Sequence, residues 1–256
     1  MKGEIRVGRC LNASLKGVTP YYDNFENIIV LTKSSKYGAL GPYVLKNEEG
    51  QIMENIWQFS KIYQEVPKSV QYYSQWDKTV IWDHPKETHL DKEGNILSKY
   101  YIWRGKGFNN DYAVRYPVGR TWRNKCIGSI KDIGYIGDLE NKNIYDYDLH
   151  LLDYIESRKQ IYIPVYCELA RKETLYKLLQ KKLEKGINLL IIEVDGPHEE
   201  SLDYYKKEYG VKDDFIENNT MLVTEENLKI MLNDKKHAFG HGYCLAAALL
   251  NLDKKT

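Results

Sequence analysis

The stretch INLLIIEV, residues 187 to 194, decides the fold of this chain because a short, mostly apolar run is typical of a strand buried on both faces. The preceding segment, RKETLYKLLQKKLEKG (residues 171 to 186), carries leucines at helical spacing and ends at Gly186, a natural helix terminator. The leucines predicted to share the buried face of this helix are Leu175, Leu178, Leu179 and Leu183. Earlier still, IYIPVYCEL (residues 161 to 169) has the composition of another buried strand. This alternation predicts helices packed on a sheet.

The same alternation continues toward the C-terminus. ESLDYYKKEYG (residues 200 to 210) predicts a helix and TMLV (residues 220 to 223) a short strand. Thr224 is a plausible N-cap for a helix over EENLKIMLN, because its hydroxyl can accept a backbone N–H at the helix start. The last helix, YCLAAALLNL (residues 243 to 252), is apolar on most sides and should be buried.

The N-terminal half is less regular. EIRVGRC (residues 4 to 10) and NIIVLT (residues 27 to 32) predict strands, and a helix is expected to begin near Ile52 and to stop before Pro67. The region after it is polar and rich in glycine, so it is expected to be irregular or short-stranded. Its scattered tryptophans are Trp76, Trp82, Trp103 and Trp122. We therefore predict an α+β (mixed α/β) fold in a single globular domain over residues 1–256, with strand/helix alternation in its C-terminal half.

Charge and composition exclude several classes of protein. The 256 residues include 37 basic and 36 acidic side chains, so no overall field steers the protein to nucleic acid or to an anionic membrane. The four cysteines are widely spaced and predict neither a disulfide framework nor a zinc site. Frequent Tyr, Lys, Asn and Ile are typical of an AT-rich genome, including those of phages and viruses. We expect a cytoplasmic protein, of a bacterium or of an infected host cell, with no membrane segment, metal or cofactor.

The helix ENIWQFSKI (residues 54 to 62) places Glu54, Gln58 and Lys61 in one stripe that Glu65 would extend. Trp57 flanks the stripe, and a loop rich in glycine precedes the helix, so one interpretation is that an acid, an amide and an aromatic ring converge on the edge of a ligand. The alternative is a solvated helix face carrying an ordinary i,i+4 pair of Lys61 and Glu65.

Two further groups of residues follow predicted elements in the C-terminal half. Glu193, Asp195 and His198 lie in EVDGPH at the carboxyl end of a strand, where α/β proteins usually bind ligands, although an ordinary turn is an equally simple reading. Gly240, His241 and Gly242 precede an apolar helix, whose N-terminal N–H groups attract a phosphate. A glycine turn without a ligand is the alternative there.

Arginines and aromatic residues alternate in the segment 101–125. Guanidinium groups suit phosphates, aromatic faces suit bases, and together they suit a nucleic-acid groove. Solvated arginines over an aromatic core would have the same composition. The arginines concerned are Arg104, Arg115, Arg120 and Arg123.

The segment from Glu54 to Lys61 resembles the E-H-x-x-Q-x-x-K helix of the NADAR superfamily, N-glycosidases that act on ADP-ribose-type and riboflavin-precursor substrates. LYKLLQKKLEKGINLLIIEVD is similar to a later helix and strand of that family, with its carboxylate near Glu193, and NDKKHAFGHG resembles more loosely the closing D-x-x-W-G-x-G segment. Asn55 replaces the motif histidine and Phe239 the closing tryptophan. Residues of about 67–158 and 196–233 have no counterpart and would be insertions.

This resemblance implies an N-glycosidase that hydrolyses the bond between ribosyl C1′ and nitrogen in an ADP-ribose-type or phosphoribosylated, nucleotide-like substrate or an ADP-ribosylated base. Glu54 would stabilise the oxocarbenium-like transition state or activate water, with help from Asp195 or Glu193. The predicted substrate-binding residues are Asn55, Trp57, Gln58, Lys61, Arg115, Arg120, His198, Gly240, His241 and Gly242. Two alternatives remain open: a non-catalytic protein of viral or phage origin that sequesters a nucleotide, and a protein that recognises nucleic acid.

Overall fold

A mixed four-stranded sheet and several helices form the fold, which confirms the predicted α+β class. The computed structural model describes residues 2–10, 19–31, 35–68, 77–81, 86–115, 125–131 and 151–255. Residue contacts divide the chain into two compact units, Met1–Leu45 with Ile163–Thr256 and Lys46–Tyr162. We call them the sheet unit and the aromatic unit. That the whole of residues 1–256 forms one domain stays a prediction.

The elements follow in chain order. The strands are β1 (Ile5–Arg9), β2 (Phe25–Ile29), β3 (Lys61–Tyr63), β4 (Glu65–Val66), β5 (Val80–Ile81), β6 (Glu87–Thr88), β7 (Ala113–Val114), β8 (Cys126–Ser129), β9 (Asn188–Glu193) and β10 (Thr220–Leu222). The helices are α1 (Met53–Phe59), α2 (Ser98–Phe108), α3 (Tyr154–Ser157), α4 (Ile163–Lys172), α5 (Thr174–Glu184), α6 (Leu202–Tyr209), α7 (Glu225–Asn233) and α8 (His241–Leu250).

The sheet unit is built around β9. Its strand order is β10-β1-β9-β2, with β9 parallel to both neighbours and β10 antiparallel to β1. Residues 189–192 of β9 are completely buried, as the apolar run predicted. Gly186 has a φ of 82° and ends the preceding helix, where the Ile187 N–H donates to the Lys182 carbonyl.

Three predicted C-terminal elements are confirmed, since α6, β10 and α7 lie where the sequence placed them. The Thr224 hydroxyl accepts the Asn227 N–H at 3.1 Å and caps α7. Helix α8 is buried over almost its whole length and packs on β1, β9 and α4. It begins at His241, two residues earlier than its apolar run.

Two details of the neighbouring helices differ from the prediction. The buried face of α5 consists of Tyr176, Leu179 and Leu183, whereas Leu178 is 40% exposed. IYIPVYCEL is helical rather than a strand. Within α4 the buried residues Ile163, Tyr166, Cys167 and Ala170 follow i, i+3, i+4, i+7 spacing, so packing overrides the β-propensity of the branched and aromatic side chains.

In the aromatic unit α1 packs on α2. The unit also contains three short strand pairs, β3 with β8, β4 with β6 and β5 with β7. The prediction that one helix runs on toward Pro67 is wrong: α1 ends at Phe59, and Lys61–Tyr63 pair with β8 instead. The Ser60 hydroxyl donates to the Trp57 carbonyl at 2.8 Å where the helix stops.

Helix α2 was not predicted, because Gly105 and Gly107 obscured its pattern. Its buried residues include Trp103, which packs at 4.7 Å between ring centroids on Phe59. A Cβ atom at Gly107 would lie 2.2 Å from the Phe59 ring, so this glycine lets α1 and α2 approach closely. Trp76, Trp82 and Trp122 lie outside the described residues. Among the described helices, none is long and apolar enough to cross a membrane.

Candidate functional site

The carboxyl ends of β1 and β9 meet at one edge of the sheet, where Arg9 pairs in register with Glu193. The chain continues from β9 into the loop that carries Asp195 and His198, so the predicted EVDGPH group does lie at this edge. Gly196 is required there, because a Cβ atom would lie 2.8 Å from the Gly8 backbone. We call this region the sheet edge.

Glu193 is buried, with 1% of its surface exposed, against the N-terminus of α8. Its Oε1 accepts the Gly242 N–H at 2.9 Å, and Cβ atoms added at Gly240 and Gly242 would lie 2.0 Å and 2.7 Å from its carboxylate oxygens. The two glycines therefore form a cradle that fits this side chain. The N–H of Gly242, which was predicted to bind a phosphate, is hydrogen-bonded to a protein carboxyl group instead.

His241 completes this arrangement. Its Nε2 lies 2.8 Å from the Val30 carbonyl and its Nδ1 lies 3.3 Å from Oε2 of Glu193. Because a carbonyl only accepts, Nε2 carries the hydrogen. Burial raises the pKa of Glu193 well above its ordinary value, with a further contribution from Asp195, and burial lowers the pKa of His241. Both directions favour a neutral pair, in which protonated Glu193 donates to Nδ1.

Asp195 and His198 are more accessible. Asp195 is exposed, and His198 is partly buried with its Nδ1 2.5 Å from Nη1 of Arg9. The guanidinium is always a donor, so Nδ1 accepts and the hydrogen of the neutral ring lies on Nε2. Burial and the charge of Arg9 lower the pKa of His198, which keeps this ring neutral.

A second polar cluster lies beyond His198 and was missed from the sequence. Oγ of Ser201 lies 3.1 Å from Nε2 of His237, and Nδ1 of His237 lies 2.6 Å from Oδ2 of Asp234. The hydroxyls of Tyr205 and Tyr204 donate to the two oxygens of Asp234 at 2.7 Å and 3.0 Å. The signal available in the sequence was the i,i+3 spacing of Asp234 and His237, because Ser201 lies far from both along the chain.

The predicted stripe of Glu54, Gln58 and Lys61 is formed in the aromatic unit, although Lys61 lies on β3 and not on α1. Nε2 of Gln58 donates to Oε1 of Glu54 at 2.7 Å, and Nζ of Lys61 donates to Oε1 of Gln58 at 2.9 Å. Glu54 and Lys61 are buried, and Nζ of Lys61 lies 4.5 Å from the centre of the Trp57 ring. The stripe is therefore a chain of hydrogen bonds from an acid through an amide to an ammonium group. Glu65 is exposed on β4, away from the helix that was expected to carry it.

Asn55 faces the protein backbone. Its Nδ2 donates to the Tyr112 carbonyl at 2.9 Å and to the Asn110 carbonyl at 3.3 Å, and its Oδ1 accepts the Val114 N–H at 2.7 Å. Asn110 and Tyr112 help to line a surface depression of about 730 Å³ beside α2. Asn55 thus supports one wall of this depression from behind, which differs from the predicted contact with a substrate.

The arginines of the segment 101–125 do not act as one group. Arg104 is buried and donates to the carbonyls of Ile130 and Lys131, so it is neither a solvated arginine nor a free phosphate ligand but a structural part of the aromatic unit. Arg115 is exposed directly after β7. Arg120 and Arg123 lie outside the described residues.

The predicted site residues thus fall mainly into two sets, the Glu54 stripe in the aromatic unit and the sheet edge in the sheet unit. Among the described residues, no group of three or more His, Cys, Asp or Glu side chains is placed to hold a metal ion. Comparison of the chain with protein families, curated proteins and solved structures finds no match.

Proposed function

We propose that this protein is an N-glycosidase that hydrolyses the bond between a ribosyl C1′ and a nitrogen in an ADP-ribose-type or phosphoribosylated substrate. The observation that carries the proposal is the hydrogen-bonded chain Glu54, Gln58 and Lys61 beside Trp57. Glu54, Gln58 and Lys61 are the residues through which the sequence resembles the NADAR superfamily.

The chemistry of such a cleavage matches this set of groups. Positive charge builds on C1′ and the ring oxygen as the bond to nitrogen breaks, so a nearby carboxylate lowers the barrier most when it is held in place beforehand. Gln58 fixes Oε1 of Glu54 at 2.7 Å, and burial weakens competition from water. Lys61 supplies a positive charge for a phosphate. The buried Trp57 ring packs on Tyr162 and holds the Lys61 ammonium group 4.5 Å from its centre, so contact of Trp57 with a base stays a prediction.

Asn55 is left out of this mechanism, because its amide group is bonded to three backbone positions. Glu193 is also left out, since its carboxylate lies in the cradle of α8. The role of Asp195 as an assisting carboxylate and that of Arg115 as a phosphate ligand stay predictions.

The test is mass spectrometry of products after incubation with NAD, ADP-ribose, a riboflavin-pathway aminopyrimidine ribotide and guanine-ADP-ribosylated DNA. We expect the wild type to release a base or a free ribose phosphate from one of them and Glu54→Gln to lose at least about 100-fold in rate. Glu65→Gln is the matched control, because this acid is exposed on β4, and it should retain the wild-type rate. Tight binding of an intact nucleotide by the wild type, without turnover, would replace the glycosidase with a protein that sequesters nucleotides.

A further inference from the structure

We propose that Ser201, His237 and Asp234 form a second catalytic site, a nucleophilic serine that hydrolyses a carboxylic ester. The proposal lies wholly within the sheet unit and does not depend on the glycosidase reaction assigned to Glu54.

The distances fit the order nucleophile, base and orienting acid. Oγ of Ser201 is 3.1 Å from Nε2 of His237, and Nδ1 of the same ring is 2.6 Å from Oδ2 of Asp234. The Tyr205 hydroxyl also lies 3.2 Å from Nδ1, but it donates its hydrogen to Oδ2 of Asp234. An ionised Asp234 only accepts, so the hydrogen of the neutral ring lies on Nδ1 and Nε2 accepts from the serine hydroxyl. This tautomer is the one in which histidine removes the proton from the attacking serine.

Asp234 is held as an ionised, oriented group. It is buried, with 1% exposed, and accepts from the Tyr204 and Tyr205 hydroxyls and from the Lys236 N–H. Burial alone would raise its pKa, but these donors together with His237 lower the pKa below its ordinary value. An anionic Asp234 stabilises the imidazolium that forms during attack.

The reacting atoms lie where a substrate can reach them. Ser201 is half-buried in the short 3-10 turn Glu199–Ser201 that leads into α6, and the side chain of His237, on the loop after α7, is 20% exposed. The ring centroid of His198 is 6.1 Å from that of His237. Neutral His198 adds an N–H donor at Nε2, and the guanidinium of Arg9 that holds its ring adds a nearby positive charge, for the negative oxygen that develops on the substrate.

The reaction balances with water as the co-reactant. Oγ of Ser201 adds to the ester carbonyl carbon while Nε2 of His237 takes the hydroxyl proton. The bond from carbon to the alkoxy oxygen then breaks, and Nε2 returns the proton to the leaving alcohol. Water next adds to the acylated serine as His237 takes one of its protons. The bond from carbon to Oγ breaks, Oγ receives that proton, and the carboxylic acid leaves.

The sequence around Ser201, HEESLDY, has no glycine-flanked nucleophile motif, so the site is recognised by its geometry. The same three side chains also tie the start of α6 to the loop after α7. The experiment must therefore measure the reactivity of Ser201 and not only the stability of the protein.

The experiment treats the full-length protein with a biotinylated fluorophosphonate and locates the label by peptide mass spectrometry. We expect the wild type to be labelled at Ser201, Ser201→Ala to take no label at any serine, and His237→Asn to react at least about 100-fold more slowly. Ser98→Ala is the matched control, because Ser98 is an exposed serine on α2, and it should be labelled like the wild type.

A second measurement separates catalysis from folding. Hydrolysis of p-nitrophenyl acetate should show a burst of p-nitrophenol in the wild type, and Asp234→Asn, a change at a positioning residue, should lower kcat much more than it changes KM. Ser201→Cys keeps a nucleophile beside His237 and should react with iodoacetamide faster than the same variant carrying His237→Asn. A folded wild type that takes no label at Ser201, or a labelling rate that His237→Asn leaves unchanged, overturns the proposal.

Discussion

The Gly242 amide donates to Oε1 of Glu193 at 2.9 Å, so the carboxyl group of a protein side chain occupies the N-terminus of α8. The N–H groups and the positive end of the helix dipole at this position stabilise an acceptor from β9. Strand and helix are thereby joined through one buried side chain. Glu193 is best described as a structural cap of α8 whose removal should affect stability first.

Glu193→Ala should lower the free energy of unfolding by about 3 kcal/mol, because it leaves a buried N–H without its acceptor and opens a cavity. Urea denaturation followed by circular dichroism measures the loss. Glu168→Ala is the matched control, since the Glu168 side chain is 70% exposed on α4, and it should change stability by less than about 0.5 kcal/mol. Equal effects of the two substitutions would contradict the capping role.

The stability of the protein should also depend on pH through Glu193. Because its pKa is raised above the ordinary value of 4.5, the folded state holds this proton where the unfolded chain has already lost it. The stabilisation that Glu193 contributes is therefore fully present below pH 4.5, and it declines as the pH rises toward the pKa that Glu193 has in the folded protein. The side chain in Glu193→Gln does not titrate. Above pH 4.5 the urea midpoint of the wild type should therefore fall relative to that of the variant as the pH rises. Parallel curves for the two proteins would exclude the effect.

Gly240 and Glu193 should be energetically coupled. A Cβ atom at Gly240 would lie 2.0 Å from Oε2 of Glu193, so Gly240→Ala should cost about 2 kcal/mol through overpacking. In the Glu193→Ala background the same change should cost at least about 1 kcal/mol less, because the conflicting group is gone. Gly105→Ala is the control, since a Cβ there meets nothing within 4 Å and helix α2 gains up to about 1 kcal/mol. Additive changes in a double-mutant cycle would disprove the coupling.

The fold was predictable wherever a local pattern matched its packing. The run at β9, the glycine at the end of α5 and the Thr224 cap each depend on neighbouring residues, and each was found. The prediction of a strand over residues 161–169 was wrong. The β-branched and aromatic composition of this segment favours a strand, whereas long-range packing fixes it as a helix. Helix α2 was not predicted, because Gly107 lowers the local helix propensity and is present for a close contact with Phe59 that only the folded structure reveals.

The candidate site divides in the same way. Gln58 lies one helical turn from Glu54 and Lys61 follows closely, so the spacing alone predicted contacts that the structure contains. The contact of Ser201 with His237 joins the start of α6 to the loop after α7, and no periodicity links their positions. Glu193 was predicted to face a ligand because it lies at the carboxyl end of a strand. Its hydrogen bond to α8 forms only in the three-dimensional fold, so no local sequence pattern revealed it.

Asn55 offers a direct test of whether its position serves substrate or structure. Its amide holds the carbonyls of Asn110 and Tyr112 and the N–H of Val114, so Asn55→Ala should lower the free energy of unfolding by about 3 kcal/mol through unpaired buried groups. The Val114 amide should also exchange its hydrogen faster, which hydrogen exchange with mass spectrometry detects.

Asn109→Ala is the control for Asn55→Ala. The Asn109 side chain makes one exposed bond, from Nε2 of Gln51 at 3.2 Å, and its removal should cost less than about 0.5 kcal/mol. If Asn55→Ala instead kept wild-type stability and exchange while raising KM for a nucleotide, Asn55 would contact substrate as its place in the E-x-x-x-Q-x-x-K stripe suggested. The three hydrogen bonds from Asn55 to the backbone favour the structural role, because removal of the amide leaves their three backbone partners without it.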